Sequence, residues 1–299
     1  MPRPPPWESR PIDATSDEYP EAFRTLKDPP PRLWLAGAMP DLSRAIAIVG
    51  TRRADDDGLQ FARELARDLA QHSCVIVSGG ADGIDRAAHE GAMEGGGKTV
   101  AVLGSGLWDP FPKSHVHLFE RIAANGALIS ERDNLEAPKA GYFLARNRLI
   151  AAVGILTVVV QAPVRSGSLN TASHAKALSK PVFAVPWGPY EGRGEGCALL
   201  IKAGAKICTS LRDVLSVAPF GAGRPRAKAL HDNQKPSDFL DLDGDEQLVW
   251  STLGRKAIHL DDISRKAELP VARVQKSILM LLLKRLLVDR GGGRYSRAS

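Results

Sequence analysis

Six short apolar runs limit the folds open to this chain more than any other feature: AIAIV at 45–49, CVIV at 74–77, TVAVL at 99–103, GALIS at 126–130, ILTVVV at 155–160 and PVFAV at 181–185. Each is too short for a helix and nearly free of polar residues, as suits a strand buried on both faces. Between them lie stretches of 15–25 residues with helical apolar spacing, such as Leu59, Phe61, Ala62, Leu65 and Leu69, or Leu118, Ile122 and Ala123. Regular alternation of strand and helix specifies a doubly wound, mostly parallel α/β sheet. A Rossmann-like domain is expected over 45–218.

The flanks read differently. Residues 1–44 carry Pro4-Pro5-Pro6 and Pro29-Pro30-Pro31. Proline fixes φ and removes a backbone donor, so an irregular lead-in is expected there. Residues 219–243 are polar, contain Pro225 and Pro236 and show no apolar period, which describes a linker. Beyond it the spacing predicts helices over 245–253, 260–267 and 271–285, the last opened by Pro270 at its first position. LLVDRGGGRY then reads as strand, glycine turn, strand. Three short helices and a hairpin over 244–299 make a small winged-helix-like domain.

Hydrophobic residues at 43% and charged residues at 25% describe an ordinary folded chain. No run reaches the eighteen or so apolar residues that span a bilayer, and MPRPPPWESRP lacks a secretory core, so no membrane partner and a cytoplasmic setting are expected. Three separated cysteines, Cys74, Cys197 and Cys208, read as reduced core thiols, with no disulfide frame or zinc site. The net charge of +6 is concentrated towards the C-terminus: 219–299 carry 15 Lys+Arg against 10 Asp+Glu, and 46–218 carry 19 against 17. A near-neutral middle can bind an anion only through local clustering.

Ligands of an open parallel sheet bind beyond the carboxyl ends of its strands. The loops there are Gly50-Thr51-Arg52-Arg53, Ser78-Gly79-Gly80-Ala81-Asp82-Gly83, Gly104-Ser105-Gly106 and Ser166-Gly167-Ser168-Leu169-Asn170-Thr171. Glycine lets backbone approach an oxyanion, hydroxyls donate to it and arginine forks onto it. A further segment, Lys139 to Arg148, mixes cations with Tyr142 and Phe143 and sets Arg146 and Arg148 about Asn147 at a helix start. Positive charge at intervals with flat apolar faces between suits single-stranded nucleic acid. Gly97-Lys98-Thr99 imitates a P-loop end but precedes a strand, where a P-loop follows one. His115 and His117 have no ligand partners at metal spacing and read as structural or surface residues, and His89 as a satisfied helix histidine. Asp82, Asp85 and Glu131 are the carboxylates nearest the strand ends, the 166–171 serines have no histidine–carboxylate pair evident in sequence, which leaves partners brought near by the fold open, and no cofactor is expected.

IVGTRR at 48–53, SGGADGIDRAAHEGAM at 78–93, AVLGSGL at 101–107, GALISE at 126–131, FLARNRLIA at 143–151 and SGSLNTA at 166–172 together resemble the DNA-processing protein A (DprA/Smf) family. YPEAFRTLKDPPPRLWLAG at 19–37 and the winged-helix-like tail extend the resemblance over almost the whole chain. It implies an extended Rossmann-like domain that binds single-stranded DNA, protects incoming DNA and helps load the RecA recombinase in natural transformation, as a homodimer and without catalysis. It implies a DNA pocket from Gly50, Thr51, Arg52, Arg53, Ser78, Gly79, Gly80, Gly83, Lys139, Phe143, Arg146, Asn147, Arg148, Ser166, Gly167 and Ser168, and dimer contacts at Leu200 and Ile201. Asp82 stands where the family commonly has arginine, Gln161 where glutamate is frequent, and Trp187 where glycine is usual. The competing reading is a Rossmann-like enzyme acting on a nucleoside phosphate, although its PGGxGTxxE pattern is absent here.

Overall fold

The computed structural model describes residues 5–188, 192–217, 242–254, 256–284 and 286–297. The chain divides into two compact units, residues 1–225 and 226–299, each with its own core.

All six apolar runs form strands of one sheet: β3 (Ala45–Val49), β4 (Val75–Ser78), β5 (Thr99–Leu103), β6 (Ala127–Ser130), β7 (Leu156–Val159) and β8 (Val182–Ala184). The pairs from β6 through β5, β4, β3 and β7 to β8 are parallel, and a short β9 (Lys206–Ile207) adds to β8. The lead-in is not irregular as expected. It folds into β1 (Ser9–Asp13), α1 (Glu21–Arg24) and β2 (Arg32–Gly37), giving the order β1-β2-β6-β5-β4-β3-β7-β8-β9 among the described residues. β2 runs antiparallel to β6, Trp34 opposite Ser130, and β1 antiparallel to β2, Pro11 opposite Trp34. β1 is the outermost strand, where a proline without N–H is tolerated, and Pro31 stands just ahead of β2.

Alternate strand residues feed opposite faces. In β3, Ile46 and Ile48 pack with Leu65 and Leu69 of α2 (Asp56–Gln71) and Ile84 of α3 (Ile84–Glu94). Ala45, Ala47 and Val49 pack towards Leu149 and Ile150 of α5 (Ala140–Val153) and Ala172 of α6 (Gly167–Ala177). α4 (Val116–Asn125) covers the sheet with Leu118, Phe119 and Ile122 against Leu103 and Leu128. α7 (Glu195–Lys202) packs on β8 and α8 (Leu211–Leu215) on α2. Strand order reverses beside β3, with β4 on one side and β7 on the other, so the connections diverge there and open a crevice at the strands' carboxyl ends.

The second unit holds α9 (Gly244–Thr252), β10 (Ile258–His259), α10 (Leu260–Ala267), α11 (Val271–Leu283), β11 (Leu287–Asp289) and β12 (Arg294–Arg297). The strands pair antiparallel in the order β10-β12-β11 over a core of Val249, Ile263, Val274, Ile278 and Leu281. This is a winged helix. Asp243 and Glu246 form a reciprocal capping box on α9. Pro270 is the N-cap of α11, with ψ of 143°, one position earlier than the sequence suggested. The expected linker over 219–243 lies outside the described residues except for Leu242 and Asp243.

Candidate functional site

The loops after β3, β4 and β5 meet α5 in a hollow lined by Arg52, Gly79, Ala81, Asp82, Phe111, Pro112, Phe143 and Arg146. Its floor is set by a buried guanidinium. Arg146 is 5% exposed and donates to the Val102 carbonyl. A Cβ on Gly79 would lie 2.1 Å from its Nη1, so any other residue there would have to displace the guanidinium. Beneath the loop, buried Asp85 accepts the N–H groups of Gly79 at 3.2 Å and Ala81 at 3.4 Å. Burial holds the Asp85 carboxyl above the ordinary carboxylate range, against the opposing pull of Arg146 and these amides. Burial likewise lowers Arg146 to about 10, with Asp85 acting against the change and Arg52 adding to it.

The other loops interlock around this pair. Thr51 donates its N–H to the Gln161 carbonyl at 2.7 Å, and its own carbonyl accepts the Ile84 N–H at 3.2 Å. Gly83, at φ +74°, passes so close that a Cβ would stand 2.3 Å from the Thr51 carbonyl. Arg52 is thereby fixed at its backbone but exposed at its head, 5.6 Å from the centre of the Phe143 ring. Phe143 packs on Gly104 and lies 5.4 Å from Phe111, tilted by 56°. On the rim, exposed Asp82 sits 2.8 Å from Nε2 of buried His115, whose Nδ1 lies 3.0 Å from the Gly80 carbonyl. His89 is buried, with Nδ1 2.7 Å from the Thr99 hydroxyl and Nε2 without a hydrogen-bond partner, and burial lowers it to about 3.

Not every expected contact faces this hollow. Ser78 is fully buried and its hydroxyl donates to the Ile48 carbonyl at 2.6 Å, so it ties neighbouring strands and is not presented to a ligand. α5 begins at Ala140, not beside Arg146, which places Arg146, Asn147 and Arg148 in mid-helix. Arg148 is 18% exposed at its side chain and pairs with Glu131 at 2.7 Å. Asn147 donates to the Gly167 carbonyl at 3.1 Å, joining α5 to α6. Ser166 caps α6, accepting the Ser168 N–H at 3.3 Å, and Ser168 is buried. Lys139 is exposed and donates to the Tyr142 hydroxyl, Arg53 and Gly167 are exposed, and Gly80 packs on Phe119. Leu200 and Ile201 are half-buried against the core, and the exposed apolar residues nearby are Leu199 and Ile207. Trp187 donates to the Val160 carbonyl at 2.6 Å, a structural role.

Asp85, His115 and Phe111 were missing from the expected site. The Asp82-His115 and Arg146-Val102 approaches join residues far apart in sequence and leave no local signal. Phe111, between prolines in a strand-end loop, is an aromatic that such a loop had no packing reason to carry. The nearby carboxylates Asp85 and Glu131 are held by internal partners. Among the described residues no group of three or more His, Cys, Asp or Glu is arranged to hold a metal ion.

Residues 10–219 match the family model of DNA recombination-mediator protein A, and residues 233–293 match that of the DprA winged helix domain. The chain belongs to the DprA/Smf family. The putative DNA processing protein DprA of Mycobacterium tuberculosis is 38% identical over 252 residues, covering 83% of this chain and 63% of that protein. The chain therefore spans less than two thirds of that DprA relative. The crystal structure of DprA from Streptococcus pneumoniae is 36% identical at a TM-score of 0.65, covering 69% of this chain and 73% of that one. DNA processing protein A from Helicobacter pylori, solved for its single-stranded DNA binding mode, is 33% identical at a TM-score of 0.64, covering 72% and 97%. The DprA fold and its winged helix are thus both present here. No helix among the described residues is long and apolar enough to cross a membrane.

Proposed function

We propose that this chain binds single-stranded DNA across the strand-end loops, as a recombination mediator that protects incoming DNA and helps load RecA. The observation that carries the reading is the hollow itself: an exposed Arg52 and a buried Arg146 on either side of a glycine backbone, with the Phe143 face beside them. Phosphate can meet the exposed Arg52 guanidinium at the glycine loop while an unpaired base meets the ring. The DNA-binding relative from Helicobacter pylori lends support through its fold and identity. The reading extends to Lys139, Arg53 and the α6 N-terminus as outer contacts, to a homodimer joined near α7 and β9, and to action without catalysis or cofactor in the cytoplasm.

The test is equilibrium binding of a fluorescent oligothymidine and a matched duplex over a salt series. A single-strand preference is expected, with log K falling by about 0.7 per phosphate neutralised. Arg52→Ala is expected to weaken binding for every sequence and to lower the salt slope by about one phosphate. No binding at low salt, or unchanged affinity in Arg52→Ala, would overturn the assignment.

A further inference from the structure

The large apolar side chains left exposed in the first unit are not scattered. Among its described residues, apart from Leu199 and Ile207 near the β9 edge, they are Trp108, Phe111, Leu135, Leu144 and Val164. All five stand on loops or opening helical turns beyond the carboxyl ends of the strands. A single exposed apolar residue needs no explanation, but a set gathered on one rim does.

Two of the five are aromatic, and both stand on the loop between β5 and α4. Phe111 is 40% exposed, lines the hollow and leans on Phe143. Trp108 is 39% exposed and only three residues away, so the two Cα atoms are within about 11 Å. The loop is braced. The Trp108 indole N–H donates to the Ser9 hydroxyl at 3.0 Å, and that hydroxyl donates to Asn134 at 3.1 Å. The Trp108 backbone N–H reaches the Asn134 carbonyl at 3.0 Å, the Gly106 N–H reaches the Glu136 carbonyl at 2.9 Å, and Lys113 pairs with Asp109. Two aromatic side chains are thus positioned without being buried, which suits successive unpaired bases because every base has a face to stack.

We infer that the DNA strand leaves the hollow over this loop, with one base stacked on Phe111 and the next on Trp108. This rests on the single-strand reading above and adds the path of the nucleotides. A stacked base neutralises no phosphate, so the track has its own signature: affinity falls when it is removed, and the salt slope does not.

The experiment uses the full chain with Phe111→Leu, Trp108→Leu and the double variant, titrated with oligothymidine and with an abasic strand of equal length across a salt series. Each single variant is expected to bind oligothymidine about five- to a hundredfold more weakly at unchanged salt slope, and to bind the abasic strand as the unsubstituted protein does. Wild-type affinity in both variants, with Arg52→Ala still impaired, would overturn the aromatic track and leave the hollow standing. A loss accompanied by a lower slope, or equal on the abasic strand, would also overturn stacking. Absence of binding by the unsubstituted protein would overturn both readings.

Discussion

The buried guanidinium of Arg146 donates to the Val102 carbonyl in the space that Gly79 leaves open. Removing the guanidinium leaves the buried Val102 carbonyl without that donor. Arg146→Met is therefore expected to lower unfolding free energy by about 1–3 kcal/mol, as denaturant titrations would measure. His89 gives a pH signature. Its folded-state value of about 3 lies below the ordinary 6.5, so the stability it contributes is present above about pH 6.5 and is lost as pH falls towards 3. Thermal or denaturant unfolding is expected to lose about 1.4 kcal/mol per pH unit from this group across that window, a contribution that His89→Gln removes. Neither the Arg146–Val102 bond nor the His89–Thr99 bond was legible in the sequence, because each joins separate elements. The glycine loops and Arg52 were legible, because glycine at a strand end is itself the signal.

At the level of elements, the buried strands were readable because apolar runs of that length have few other uses, and their positions agree within a residue or two. The strands β1 and β2 were not, since proline suggested irregular chain, whereas an edge strand tolerates Pro11. The start of α5 was misplaced because Lys139 to Arg148 mixes charge and aromatic residues without a clear apolar stripe, its arginines being turned inward to the Val102 carbonyl and Glu131. Two glycines with positive φ separate strain from site. At Gly292 nothing lies within 4 Å of where a Cβ would stand, so Gly292→Ala is expected to cost only about 1–2 kcal/mol of the winged helix's stability. Gly83→Ala adds a clash with the Thr51 carbonyl, so both stability and oligothymidine binding are expected to fall, as thermal melts and titrations of the two variants would report.

For the molecule as a whole, the charge excess lies in the C-terminal part, yet the hollow with its two arginines lies wholly in the first unit. A chain ending at residue 218 is therefore expected to keep most of its single-strand affinity, measured by the same titration. A large loss would move the main contact to the winged helix. The most direct test of the central claim is photo-crosslinking of a 4-thiothymidine strand to the full chain, followed by mass mapping of the joined peptides. Crosslinks are expected within 50–53, 79–83, 104–115 and 139–148; crosslinks confined to α10, α11 and the Gly291–Gly293 turn, or to the opposite end of the sheet, would contradict it.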